Sequence, residues 1–171
     1  MSTIKCAPWY YRDECLLIGD AAHGVIPFFG QGMNSAFEDC RILDELLEQY
    51  KDDWSRVMPI LYGERKLNTD AVAQMSMDNY YEIHSDIRNP QFILKKQVER
   101  ALMARYPERY VSKHIQVMFT NIPYARAWTA GELQTQFLNK LCESITDVNA
   151  LDWQAVDELM REYDKNLTVS V

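Results

Sequence analysis

Asp20, Gly30, Gly32 and Asn34 fall close together in the stretch LLIGDAAHGVIPFFGQGMNSAFEDC, Leu16 to Cys40. Their types fit the binding of a flat ligand that carries hydroxyls. An ionised carboxylate only accepts hydrogen bonds, so Asp20 suits a polyol. Gly30 and Gly32 leave room for backbone to approach a flat ring. A helix beginning just after them presents free N–H groups and the positive end of its dipole, which favour a ring that becomes anionic. A tight turn with an aspartate cap would account for Gly19–Asp20 alone. It does not account for the apolar run IPFFGQGM, which is costly to expose as plain loop. His23 in the same loop is expected to make structural hydrogen bonds rather than to act as a base.

These residues need elements to position them. CLLIG (Cys15–Gly19) reads as a buried strand closed by Gly-Asp. That places Asp20 at the carboxyl edge of a sheet, where α/β folds bind ligands. Asn34–Tyr50 reads as a helix with Ala36, Cys40, Leu43 and Leu47 inward and Leu46 widening the stripe. Pro59 is expected to interrupt the next helical segment, followed by a long helix over about Ile60–Ile87. Its spacing puts Val72, Ser76, Tyr80 and Ile83 on one face, with Tyr81 turned about 100° away. Further helices are expected over Gln91–Arg105, with Phe92, Val98 and Leu102 inward, and over Tyr124–Ser144 and Asp152–Lys165. Pro107 stops the first of these. HIQVMF (His114–Phe119) alternates and predicts a strand. A minor boundary is expected near Asp147–Leu151, and the tail from Asn166 is expected to fray.

Two strands far apart in sequence have no evident partners, and a strand as apolar as CLLIG normally lies inside a covered sheet. The simplest account is the C-terminal piece of a larger protein whose sheet precedes Met1. Assembly with another chain, or strands wrongly assigned, would also account for it.

Composition narrows the class. The chain has 171 residues, 47% of them hydrophobic, and a net charge of −7. That length is about one domain, and the charge argues against nucleic-acid and anionic-membrane partners. Cys6, Cys15, Cys40 and Cys142 show no metal-like spacing. Cys15 and Cys40 sit in apolar runs and read as buried free thiols of a reducing cytoplasm. No signal peptide and no run of transmembrane length is visible. His84 and His114 lack partners at metal-ligand spacing. Lys95–Arg109 reads as a solvated helix face, Asp152–Lys165 as a surface helix, and Trp128 and Phe137 as helix packing.

The string GDAAHGVIPFFGQGMNSAFEDC resembles the second flavin-binding motif of the FAD-dependent aromatic hydroxylases, the single-component flavoprotein monooxygenases. GDAAH, Pro27, Gly30, Gly32, Asn34 and the following acid carry the general likeness. The fuller PFFGQGMN with FEDC is similar to the kynurenine-hydroxylating branch of that family. MDNYYEI (Met77–Ile83), the run from Phe92 to Pro107, FTNIPYARA (Phe119–Ala127) and CAPWYY (Cys6–Tyr11) extend the likeness over about Ile4 to Ala127. The resemblance implies an α/β parent fold, a Rossmann-like FAD-binding sheet plus a substrate domain, of which this chain is a mostly helical C-terminal fragment with few strands. Residues 1–50 would be the C-terminal part of the FAD-binding domain, and 51–171 a helical substrate-side and C-terminal region.

The resemblance also implies roles. Asp20 would hold the ribityl chain. Gly32, Met33 and Asn34 would lie at the helix start beside the pyrimidine edge of the isoalloxazine, Pro27 and Phe28 beside its reactive face, and Gly30 and Gln31 would also bind the cofactor. Asn34, Tyr80 and Phe28 would contact the aromatic amino acid. The implied reaction uses NADPH as co-substrate, and a flavin hydroperoxide transfers one oxygen to the ring. No side chain need act as nucleophile, and no metal is required. Two departures stand out. The chain has no GxGxxG fingerprint for the ADP half of FAD, and no arginine matches the one expected on the substrate carboxylate. Both would lie in a missing N-terminal half, so the chain alone is expected to be inactive and to hold FAD weakly. Its charged final helix resembles the soluble bacterial members, which carry no membrane segment. A hydroxylase of another ring, such as a hydroxybenzoate, and a non-catalytic remnant that binds a partner are the alternatives.

Overall fold

A computed structural model describes residues 2–86 and 88–170. It divides the chain into two compact units, Met1–Tyr80 and Tyr81–Val171.

The first unit opens with a two-stranded antiparallel hairpin, β1 (Tyr10–Tyr11) and β2 (Cys15–Leu16), with Tyr10 opposite Leu16 and Tyr11 opposite Cys15. The expected buried strand is thus only two residues long. It pairs with a neighbour that sequence reading left unassigned, and Cys15 on it is exposed. Leu17 N–H donating to Trp9 O at 2.7 Å extends the pairing. Trp9 is buried, its indole N–H donates to Cys6 O, and its ring packs against His23 and Tyr62. One helical turn, α1 (Asp20–His23), follows after Leu17, Ile18 and Gly19.

Helix α2 (Gly32–Tyr50) and helix α3 (Trp54–Tyr81) form the rest of this unit. Leu46, Val57 and Leu61 make a small core, flanked by Leu16, Ile18, Ile42, Leu43, Leu47 and Ile60. The inward line of α2 is rotated by one residue from the expected stripe. Ser35, Asp39 and Leu46 are its buried positions, while Cys40 is exposed. The rotation has a physical reason: Asp39 meets a buried cation from α3, as described below, so the inward line is partly polar. Pro59 lies inside α3 without interrupting it. A proline in the second turn removes one ladder hydrogen bond, and the burial of Val57, Met58 and Leu61 around it offsets that loss. The long helix ends at Tyr81 and gives way to a π-helical turn, Glu82–Asp86. Ile87, the expected end, lies outside the described residues.

Every regular element among the described residues of the second unit is helical. Helix α4 (Pro90–Arg105) starts with Asn89 accepting from Gln91 N–H and proline in the first turn. Its buried line is Leu94, Val98 and Leu102, with Phe92 half-buried. Helix α5 (Lys113–Phe119) occupies the segment expected as a strand. Ser112 caps it, Gln116 and Val117 are buried, and Phe119 is 77% exposed, which alternation would not allow. Gly131 lets α5 approach helix α6 (Tyr124–Cys142), since a Cβ there would collide with the Lys113 stem. After a 3₁₀ turn (Val148–Ala150), helix α7 (Trp153–Ser170) buries Val156, Met160 and Tyr163 at helical spacing and runs on past Asn166 without fraying. These residues, with Leu94, Val98, Leu102, Tyr110, Phe137 and Leu141, form the core of the unit.

Candidate functional site

The opening motif folds into one open cavity of about 450 Å3 in the first unit. It is lined by Asp20, Val25, Pro27, Gly30, Gly32, Met33 and Ala36. The volume lies within the range of about 300–1,000 Å3 usual for small-molecule pockets. Five of the predicted cofactor residues therefore share one wall: Asp20, Pro27, Gly30, Gly32 and Met33.

Local sequence explains each placement. Gly19 has φ +57°, a left-handed conformation open to glycine, and a Cβ there would press on Ala36 at 3.3 Å. Its turn sends Asp20 into the first position of α1, where the carboxylate is exposed to the cavity side. Gly30, at φ +69°, reverses the chain before α2, and nothing occupies the space a Cβ would take. Gln31 precedes α2, is buried, and provides no side-chain cap. The first N–H groups of α2 consequently lack intrahelical acceptors and a capping side chain. Asn34 is exposed, and its Nδ2 donates to Gln31 Oε1 at 3.0 Å.

Phe28 and Tyr80 meet ring to ring, with centroids 4.8 Å apart at 58°. Asn79 Nδ2 donates to the Phe28 carbonyl oxygen. Val72 and Ser76, on the face expected to carry Tyr80, are buried, Tyr80 is half-buried, and Tyr81 is 57% exposed.

Behind the cavity wall lies a charged cluster that sequence reading missed. Asp39 is fully buried and accepts three hydrogen bonds: from Gly19 N–H at 3.0 Å, His23 Nε2 at 2.5 Å and Arg65 Nε at 2.7 Å. An ionised carboxylate only accepts, so Nε2 carries the His23 proton. Arg65, also buried, donates further to Glu38 Oε2 at 2.7 Å and to Ser35 O and Oγ. Burial pushes the Asp39 carboxyl up, but the hydrogen bonds from His23, Arg65 and Gly19 outweigh it and hold the group below the ordinary carboxylate range. The cluster ties the Gly19 turn to α2 and α2 to α3, and so fixes where Asp20 stands. The structural role expected of His23 is what its contacts describe. One signal was available in the sequence: Arg65 falls on the line of Leu61, Thr69, Val72 and Ser76, where a lone cation needs a buried anion.

His84 and His114 are exposed, and no group of potential metal ligands occurs among the described residues. No helix among them is long and apolar enough to cross a membrane. Cys6 is half-buried and Cys142 buried, and all four cysteines are free.

Residues 4–57 match the family model of an FAD binding domain. The chain is 70% identical to the kynurenine 3-monooxygenase of Legionella pneumophila (strain Corby), over 98% of this chain and 37% of that protein. It is 39% identical to the kynurenine 3-monooxygenase of Myxococcus xanthus (strain DK1622), over 94% of this chain and 34% of the relative. It is 34% identical to the enzyme of the same name from Dictyostelium discoideum, over 94% of this chain and 38% of the relative. The chain thus spans little more than a third of the length of the curated relatives it matches.

Proposed function

We propose that this chain, homologous over nearly its whole length to part of the kynurenine 3-monooxygenases, carries the riboflavin side and part of the substrate side of an FAD-dependent aromatic hydroxylase. Its reaction would be the conversion of L-kynurenine to 3-hydroxykynurenine with NADPH and molecular oxygen as co-substrates, one oxygen atom entering the ring and the other leaving as water while NADPH is oxidised to NADP+. Residues 1–50 would serve the flavin, and 51–171 the substrate side and C-terminal region. The observation that carries the reading is the cavity at the start of α2, with an acid, two glycines and the free N–H groups of a long helix around one space.

Those residues fit FAD. The donor set needed is an acceptor for ribityl hydroxyls, a backbone close to a flat ring, and N–H groups at its electron-rich edge. Asp20 supplies the first, Gly30 and Gly32 the second, and the N–H groups of Gly32, Met33 and Asn34 the third. Bound there, FAD reduced by NADPH would supply activated oxygen to an electron-rich ring. The chain's own work is binding and placement. Gln31 holds the Asn34 carboxamide, leaving Asn34 at the exposed end of the glycine loop. Phe28 and Tyr80 offer aromatic surface to exclude water and hold a ring. No side chain need act as nucleophile.

The test is a chimera in which these residues replace the matching span of the Legionella relative. With NADPH and kynurenine it should form a hydroxylated product. A chimera that binds FAD and oxidises NADPH yet hydroxylates only hydroxybenzoates would overturn the substrate assignment.

A further inference from the structure

We propose that Asn79 is a positioning residue that sets the Phe28–Tyr80 ring pair beside the cavity-lining Pro27, an inference resting on the function proposed above. Asparagine is among the weaker helix formers, yet Asn79 stands within the last turn of the 28-residue α3. Its side chain is half-buried and donates to the main-chain oxygen of Phe28. Phe28 lies in a loop, and Pro27 before it and Gly30 after it both line the cavity. The next residue of the helix, Tyr80, meets the Phe28 ring. Adjacent helix residues point about 100° apart. Asn79 and Tyr80 therefore hold Phe28 from two directions, one by its backbone and one by its ring. A ring contact alone lets Phe28 slide or rotate. The added hydrogen bond fixes the height of its carbonyl, and with it the path of the Pro27–Gly30 loop and the tilt of the ring pair. A hydroxylation site needs that fixity, because a misplaced ring leaves activated oxygen to decay unused.

Three proteins test this in the chimera: Asn79→Ala, Asn79→Asp, which keeps the shape but loses the donor, and Asn79→Gln, which keeps the donor on a longer stem. Hydrogen exchange of the segment from Phe28 to Gln31 is read without cofactor, and hydroxylated product per NADPH consumed is read with it. In Asn79→Ala and Asn79→Asp the loop amides should exchange faster, and coupling should fall about fivefold, the worth of one neutral hydrogen bond. The melting temperature and flavin content should change little, and Asn79→Gln should recover a good part of the coupling. If Asn79→Ala does not fold, Asn79→Asp is read in its place. Unchanged loop exchange and coupling, or a fall in melting temperature with coupling intact, would overturn the inference. A parent chimera that exchanges normally but forms no hydroxylated product would instead overturn the proposed function, and this inference with it.

Discussion

Arg65 of α3 reaches Asp39 of α2 through Nε at 2.7 Å, with both side chains buried. The pair joins two helices and, through the Gly19 N–H that Asp39 also accepts, the turn that presents Asp20. Removing one member of a buried pair leaves the other charge uncompensated, at about 3–5 kcal/mol. Arg65→Met should therefore lower unfolding free energy by an amount of that order in urea titrations. Combining it with Asp39→Leu should recover part of the loss. Equal stability of Arg65→Met and the parent chain would show that the pair does not hold the helices together.

Acid should act through the same carboxyl. A carboxyl held below its ordinary value stabilises the fold above that value and loses the contribution as pH falls through the folded one. For Asp39 the ordinary value is 3.8, so the loss falls below that pH. Urea midpoints followed downward from neutrality should fall steeply there, and Asp39→Asn should start lower and fall less. Parallel curves for the two proteins would contradict the assignment.

Asp20 stands outside that cluster, and its carboxylate is exposed. In the FAD-binding chimera, Asp20→Ala should weaken flavin binding by about 1.5–3 kcal/mol, the worth of charge-assisted hydrogen bonds. Its melting temperature without flavin should stay near that of the parent. Flavin titration of the apo-protein checks this. Intact flavin affinity with a collapse in substrate affinity would remove Asp20 from the cofactor site.

Asn34→Ala and Tyr80→Phe address the proposed substrate contacts. Each should lower hydroxylated product per NADPH consumed while leaving flavin content near normal. If Asn34 merely braces Gln31 and Tyr80 merely packs on Phe28, the melting temperature should fall and coupling should hold.

The cavity was legible in the sequence because its residues are local. Asp20, Pro27, Gly30, Gly32 and Met33 lie in one short stretch whose glycines and helix start dictate its path. The cluster behind it was only half legible: Arg65 falls on the buried line of α3, but nothing local pairs it with Asp39, which comes from a different helix. Apolar periodicity points Cys40 inward where Asp39 stands, since a carboxylate counts as outward whatever partner awaits it. HIQVMF failed for the opposite reason. A six-residue alternation is too short to separate strand from helix, and the decisive cue was Ser112 as an N-cap just before it. Pro59 stays inside α3 because the burial of Val57, Met58 and Leu61 around it offsets the lost ladder hydrogen bond.

The 171 residues contain no GxGxxG, so the chain by itself should be colourless after purification and titrate FAD only weakly. A yellow preparation with stoichiometric flavin would show that the riboflavin-side contacts suffice.

The most direct test of the account is the mass of the product formed by the chimera from kynurenine, NADPH and labelled oxygen gas. The account predicts kynurenine gaining one oxygen atom that carries the label, on the aromatic ring. Unchanged kynurenine from a flavin-loaded chimera that still consumes NADPH, under conditions in which the intact Legionella relative forms product, would contradict it.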